Sequence, residues 1–132
     1  MAISGASFLP SPEEVVHAHV GFSPVENGAL LAMHHGGDAL GPPAATWVIG
    51  RDDAQSTFTV LYGDSRGVSR VYLMSLTDDT WRLWRNNVDF SQRFEATISP
   101  DQNVMTGRWE KRASGGDWEH DFAVTYSRAS TQ

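Results

Sequence analysis

The chain has 132 residues, with 10 Lys+Arg against 16 Asp+Glu, a formal net charge of −6, 40% hydrophobic and 20% charged residues. That size and balance suit a single globular domain spanning residues 1–132, and an acidic chain with no basic run is a poor nucleic-acid partner. The absence of cysteine excludes disulfides, thiolate nucleophiles and cysteine-ligated metal centres.

The opening residues, MAISGASFLPSPEE, carry neither a basic n-region nor a long apolar stretch, so they do not read as a signal peptide. No segment approaches the ~18 apolar residues of a membrane helix. A soluble, cytoplasmic protein with no membrane partner is the expectation. Residues 1–14 read as an N-terminal arm or short helical turn. Ser11-Pro12-Glu13-Glu14 has a capping serine, proline at the first helical position and early acids. Val15–Val20 alternates like a strand, so a helical turn leading into a strand is expected there.

From Glu26 onward turn residues recur at strand-length intervals. Asn27-Gly28 is a strong hairpin dipeptide, because both residues tolerate positive φ. Gly36-Gly37, Gly41-Pro42-Pro43, Arg51-Asp52-Asp53, Gly63 to Gly67, Thr77-Asp78-Asp79, Ser99-Pro100-Asp101 and Ser114 to Asp117 follow it. The intervals predict strands near Ala29–His35, Ala45–Gly50, Thr57–Tyr62, Val68–Leu76, Thr80–Asn86, Ser91–Ile98, Val104–Lys111 and Trp118–Arg128. Such spacing leaves no room for βαβ crossovers. The expected fold is all-β: a closed or nearly closed antiparallel meander barrel of about 8–10 strands, closure being the economical way to remove exposed edges.

Alternation assigns faces on some strands. On the last, Trp118, His120, Phe122, Val124 and Tyr126 are expected inward, and Phe58, Val60 and Tyr62 behave similarly on an earlier one. Val68–Leu76 and Thr80–Asn86 carry bulk on both faces, which suggests that one face lines a space. Arg70 and Arg93 each neighbour large apolar residues, where a buried guanidinium needs a partner such as Glu95, Glu110 or Asp121. The arginines can be structural, paired within the sheet, or can hold an anionic or carbonyl group of a ligand. On the second reading the binding site comprises Arg70, Tyr72, Trp84, Arg93, Phe122 and Tyr126.

GVSRVY at 67–72, WRLWR at 81–85, FSQRF at 90–94, GRWE at 107–110 and DWEHDFAVTYSR at 117–128 resemble a bacterial, chiefly actinobacterial, family of lipocalin-like proteins. GFSPVENGALL at 21–31 and the stretch from WVIGRDD to VLYGDSRG at 47–67 fit its upstream part. The resemblance covers most of the chain and implies a small calycin-type β-barrel with a central cavity. It brings no activity with it. Fatty-acid-binding relatives in the wider group hold a carboxylate with an Arg-x-Tyr pair on the last strand. Here Tyr126 and Arg128 stand in the reverse order, while Arg70 and Tyr72 make an Arg-x-Tyr earlier in the chain.

Other chemistry has weaker support. His17, His19, His34 and His35 lack a third ligand at a fixed spacing, so no metal is expected. There is no Gly-x-Ser-x-Gly elbow, and Gly63-Asp64-Ser65-Arg66-Gly67 joins strands rather than preceding a helix. The expected function is binding of a largely apolar, optionally anionic, small molecule without a cofactor, with a homodimer an allowed assembly. The alternative is a cofactor-free cyclase, isomerase or hydrolase in the same cavity, with Glu95, Asp121 or a histidine as acid or base. A barrel filled by its own side chains would leave only a protein-interaction role.

Overall fold

The computed structural model describes residues 1–5, 15–36 and 43–129. Eleven strands form one antiparallel sheet: β1 (Ala2–Ser4), β2 (Val15–His17), β3 (Val20–Val25), β4 (Leu30–His35), β5 (Ala45–Arg51), β6 (Phe58–Asp64), β7 (Ser69–Thr77), β8 (Thr80–Arg85), β9 (Phe90–Ile98), β10 (Val104–Ala113) and β11 (Glu119–Ser127). From β3 to β11 each strand pairs with the next in sequence, and β1 then joins β11 with β2 outside it. The eight strands expected from turn spacing are present, each within a few residues of its predicted bounds. The hairpin at Asn27-Gly28 is a 3-10 turn over Glu26–Gly28, with positive φ at all three residues. Ser11–Glu14, the expected helix start, and the predicted turn residues Gly37, Gly41 and Pro42 lie outside the described residues.

Two strands, β1 and β3, were not legible as such. Ala2–Ser4 is too short to show a period, yet Ile3 faces Val16 on one side and Val124 on the other, and all three are buried. The start of the N-terminal arm is thus a sheet strand. The ambiguous Val15–Val20 contains β2 and opens β3. At its middle, Ala18 N donates to Met1 O and the Met1 ammonium donates to Ala18 O, both at 2.9 Å.

The barrel is open, which corrects the expectation of closure. Its edges are β2 and β3, and no ladder joins them. They are linked by Ala18-His19 alone, with no turn to fold one strand back on the other, so the sheet curls into a half-barrel. The edges are blunted instead. β2 has only three residues, and β3 carries Pro24, which removes a donor from its ladder.

Inner-face residues build one core. Met33, Trp47, Ile49, Val60, Tyr62, Tyr72, Met74, Trp81, Leu83, Phe94, Ala96, Trp109 and Val124 are all buried. Burial of side chains this large stabilises by about 1.5–3 kcal/mol each, before conformational entropy is set against it. Gly107 lets β9 and β10 approach closely: a Cβ there would lie 2.6 Å from the Glu95 carbonyl oxygen and 2.7 Å from Ala96 Cβ. Among the described residues no helix is long and apolar enough to cross a membrane.

Candidate functional site

One end of the half-barrel collects the C-terminal ends of β4, β6, β8 and β10 and the starts of β5, β7, β9 and β11. Inside it lies a cavity of about 440 Å³, within the range that holds small molecules. Its wall is aromatic. Trp47 stands with its ring centroid 4.5 Å from Tyr62, 5.3 Å from Tyr72 and 5.9 Å from Trp109. Trp109 in turn lies 6.1 Å from Phe122.

Arg70, Tyr72, Phe122 and Tyr126 all line this cavity, so four residues of the sequence-derived set come together. Arg70 stacks over Phe90 at 5.0 Å, and it has no carboxylate partner among the described ion pairs. The Tyr72 hydroxyl donates to Gln92 Oε1 at 2.5 Å, Gln92 Nε2 donates to Asp121 Oδ2 at 3.3 Å, and Lys111 Nζ lies 3.8 Å from Asp121 Oδ1. Burial pushes the Tyr72 hydroxyl above its ordinary pKa, against the charge and hydrogen bonding of Arg70. Tyr126 is raised too, by burial. With Met1 it separates the cavity from a second hollow, of about 870 Å³, at the opposite end.

Trp84 and Arg93 are not in the cavity. They pair across β8 and β9 on the outer face, along a groove that also holds Arg82, Glu95, Glu110 and His120. Arg93 Nε donates to Glu110 at 3.0 Å and its guanidinium covers the Trp118 ring at 4.1 Å. The physical reason is plain alternation: Gln92, Phe94 and Ala96 are buried, so Arg93 and Glu95 between them must point out. Phe94, adjacent in sequence, lies on the opposite face.

Trp118 and His120 also face outward, against the alternation of their strand. Trp109 pairs with Phe122 but Glu110 pairs with His120, so Asp121 is the extra residue of a β-bulge. The bulge turns Asp121 into the cavity beside Phe122 and reverses the phase before it.

Several cavity residues were missed. Trp47 could have been found from the alternation of Ala45, Trp47 and Ile49 against Thr46 and Gly50. Arg85, which follows Trp81 and Leu83 on the inner face of β8, was missed too; it lines the gap between β7 and β8 and not the cavity. Its Nε is buried with no hydrogen-bond partner among the described residues, as are Trp47 Nε1 and His35 Nδ1. Desolvation holds the His35 imidazole below its ordinary pKa, opposed by the Gly36 backbone and helped by His34. Neutral imidazole in a cavity wall can accept a proton or a hydrogen bond.

Asp64 closes the rim between β6 and β7. Its carboxylate accepts from the Tyr62 hydroxyl at 2.6 Å, from Arg66 Nη2 at 2.6 Å, and from the backbone N–H groups of Arg66 and Val68. The Arg66 bond first, then the hydroxyl and backbone donors, hold it well below the usual carboxylate range, while burial opposes them. Elsewhere, His34 bonds Thr46 on the outside at 3.0 Å. Among the described residues no three His, Cys, Asp or Glu side chains converge as a metal site. No protein-family model and no curated protein matches this chain.

Proposed function

We propose that the protein binds a largely apolar small molecule inside the curled sheet, in the manner of a lipocalin-like barrel. The observation that supports this most is the cavity of about 440 Å³ walled by Trp47, Tyr72, Trp109 and Phe122, in which the indole N–H of Trp47 has no partner among the described residues. Aromatic walls offer large apolar contact at small entropic cost, and a few polar atoms orient what is bound. The test is native mass spectrometry of protein purified from its own host. A retained small molecule is expected, released by denaturation. Protein that carries none and quenches no apolar fluorescent probe would remove the binding reading.

A second reading, a cofactor-free isomerase or cyclase, draws on His35. A buried imidazole with a free Nδ1 beside an open cavity is a suitable general base. If the retained molecule is turned over, His35→Gln should abolish turnover and keep its binding. Unchanged turnover would leave binding alone.

A further inference from the structure

The wall of the cavity is split between β7 and β8. Their ladder runs from Thr77–Thr80 only as far as Leu73–Trp84, so Ser69 to Tyr72 lie beyond it, with no β8 partner. The gap, about 490 Å³, is lined by Arg70, Tyr72, Leu73, Trp84 and Arg85. Arg70 and Tyr72 line the inner cavity as well, so the split adjoins it.

Two guanidinium groups stand at this split. Arg70 and Arg85 lie 5.0 and 5.9 Å from the centroid of the same Phe90 ring. Among the described residues neither belongs to an ion pair and the buried Arg85 Nε–H has no acceptor. Other charges nearby are already matched: Arg66 with Asp64, Lys111 with Asp121. Among the described side chains around the cavity and its opening, four cations therefore face two carboxylates, in a chain whose formal net charge is −6. Clustered like charges and an unmet buried donor are each unfavourable, and one bound anion relieves both.

We infer that Arg70 and Arg85 form the head-group site for a carboxylate whose apolar body lies against Tyr72, Trp47 and Trp109, with the β7–β8 split as the way in. This rests on the cavity being a binding site. A carboxylate suits the pair better than a phosphate. A phosphate's third oxygen commonly takes backbone N–H donors from a turn, and in the neighbouring β6–β7 turn those of Arg66 and Val68 are occupied by Asp64.

The experiment is displacement of a bound apolar fluorescent probe by decanoate, decanol and decyl phosphate at fixed ionic strength. Wild-type protein should bind decanoate at least tenfold more tightly than decanol. Arg70→Gln and Arg85→Gln should each reduce that preference about tenfold without weakening decanol. Arg85→Lys, which keeps the charge but loses the fork, should fall between. Arg82→Gln, on the outer face, should change nothing, and unaltered far-ultraviolet spectra and melting curves will establish that the variants fold. Equal binding of decanoate and decanol, or a preference that survives Arg85→Gln, would overturn the head-group site while leaving the cavity as a binding site. A preference for decyl phosphate would overturn the carboxylate assignment. Failure of all three to displace the probe or to bind would overturn both inferences together.

Discussion

Tyr72 and Gln92, twenty positions apart in the chain, are joined across the interior by a hydrogen bond from the phenol to the amide oxygen, and both side chains are buried. Tyr72→Phe leaves that amide oxygen without its donor. The expected loss is about 1–3 kcal/mol, read from urea unfolding. Replacing both residues, as Tyr72→Phe with Gln92→Leu, should cost less than the two single losses added, because the hydrogen bond they share is then lost only once.

Asp64 should make the fold sensitive to acid. Its folded pKa lies below the unfolded value, so its contribution is complete above the unfolded pKa, near 3.8, and disappears as pH falls from there through the folded value. Arg66 is half exposed, and the salt bridge alone is worth little. The hydrogen bonds to Tyr62 and the turn matter more. Asp64→Asn should lose about 2–4 kcal/mol at pH 7, a difference that narrows steadily as pH falls below the unfolded pKa. A constant difference across that range would contradict the assignment.

His35 works in a higher window with the same sign. Burial lowers its folded pKa below the ordinary 6.5, so the unfolded chain binds the proton more readily. Its contribution is complete above pH 6.5 and falls as pH drops toward the folded value. Denaturation midpoints measured between pH 7 and 5 should decline more steeply for wild type than for His35→Gln. Parallel curves would mean that the ring titrates as if exposed.

The outer face should be silent in binding. Arg82→Gln and Arg93→Gln are expected to leave the affinity for an apolar probe within twofold of wild type, whereas Phe122→Ala should weaken it about tenfold. Arg93→Gln should still cost about 1 kcal/mol of stability, through its stacking on Trp118 and its bond to Glu110. Weakened binding in Arg93→Gln would place the site on the wrong side of the sheet.

Much of the site was readable where one face of a strand is clean. Phe122 and Tyr126 lie inside, as the alternation along β11 requires, and Tyr72 shares a face with buried Met74. Arg93 and Trp84 misled because bulky neighbours in sequence stand on the opposite face of a pleated strand, so adjacency carries no information about burial. His120 misled for another reason. A single bulge residue, Asp121, changes phase within a strand, and nothing in its composition marks it.

Local chemistry thus determined the meander: turn residues at short intervals and strand-forming runs between them allow little else. Tertiary pairing decided the rest. Whether the sheet closes depends on where the β2–β3 segment hydrogen-bonds, and it bonds β1 with its first half and β4 with its second. Which arginines share the cavity depends on register across five strands, from Arg70 on β7 to Phe90 and Gln92 on β9 and Asp121 on β11. Those are long-range contacts, fixed by the burial of Trp47, Tyr72 and Trp109 in one core, and no local pattern encodes them.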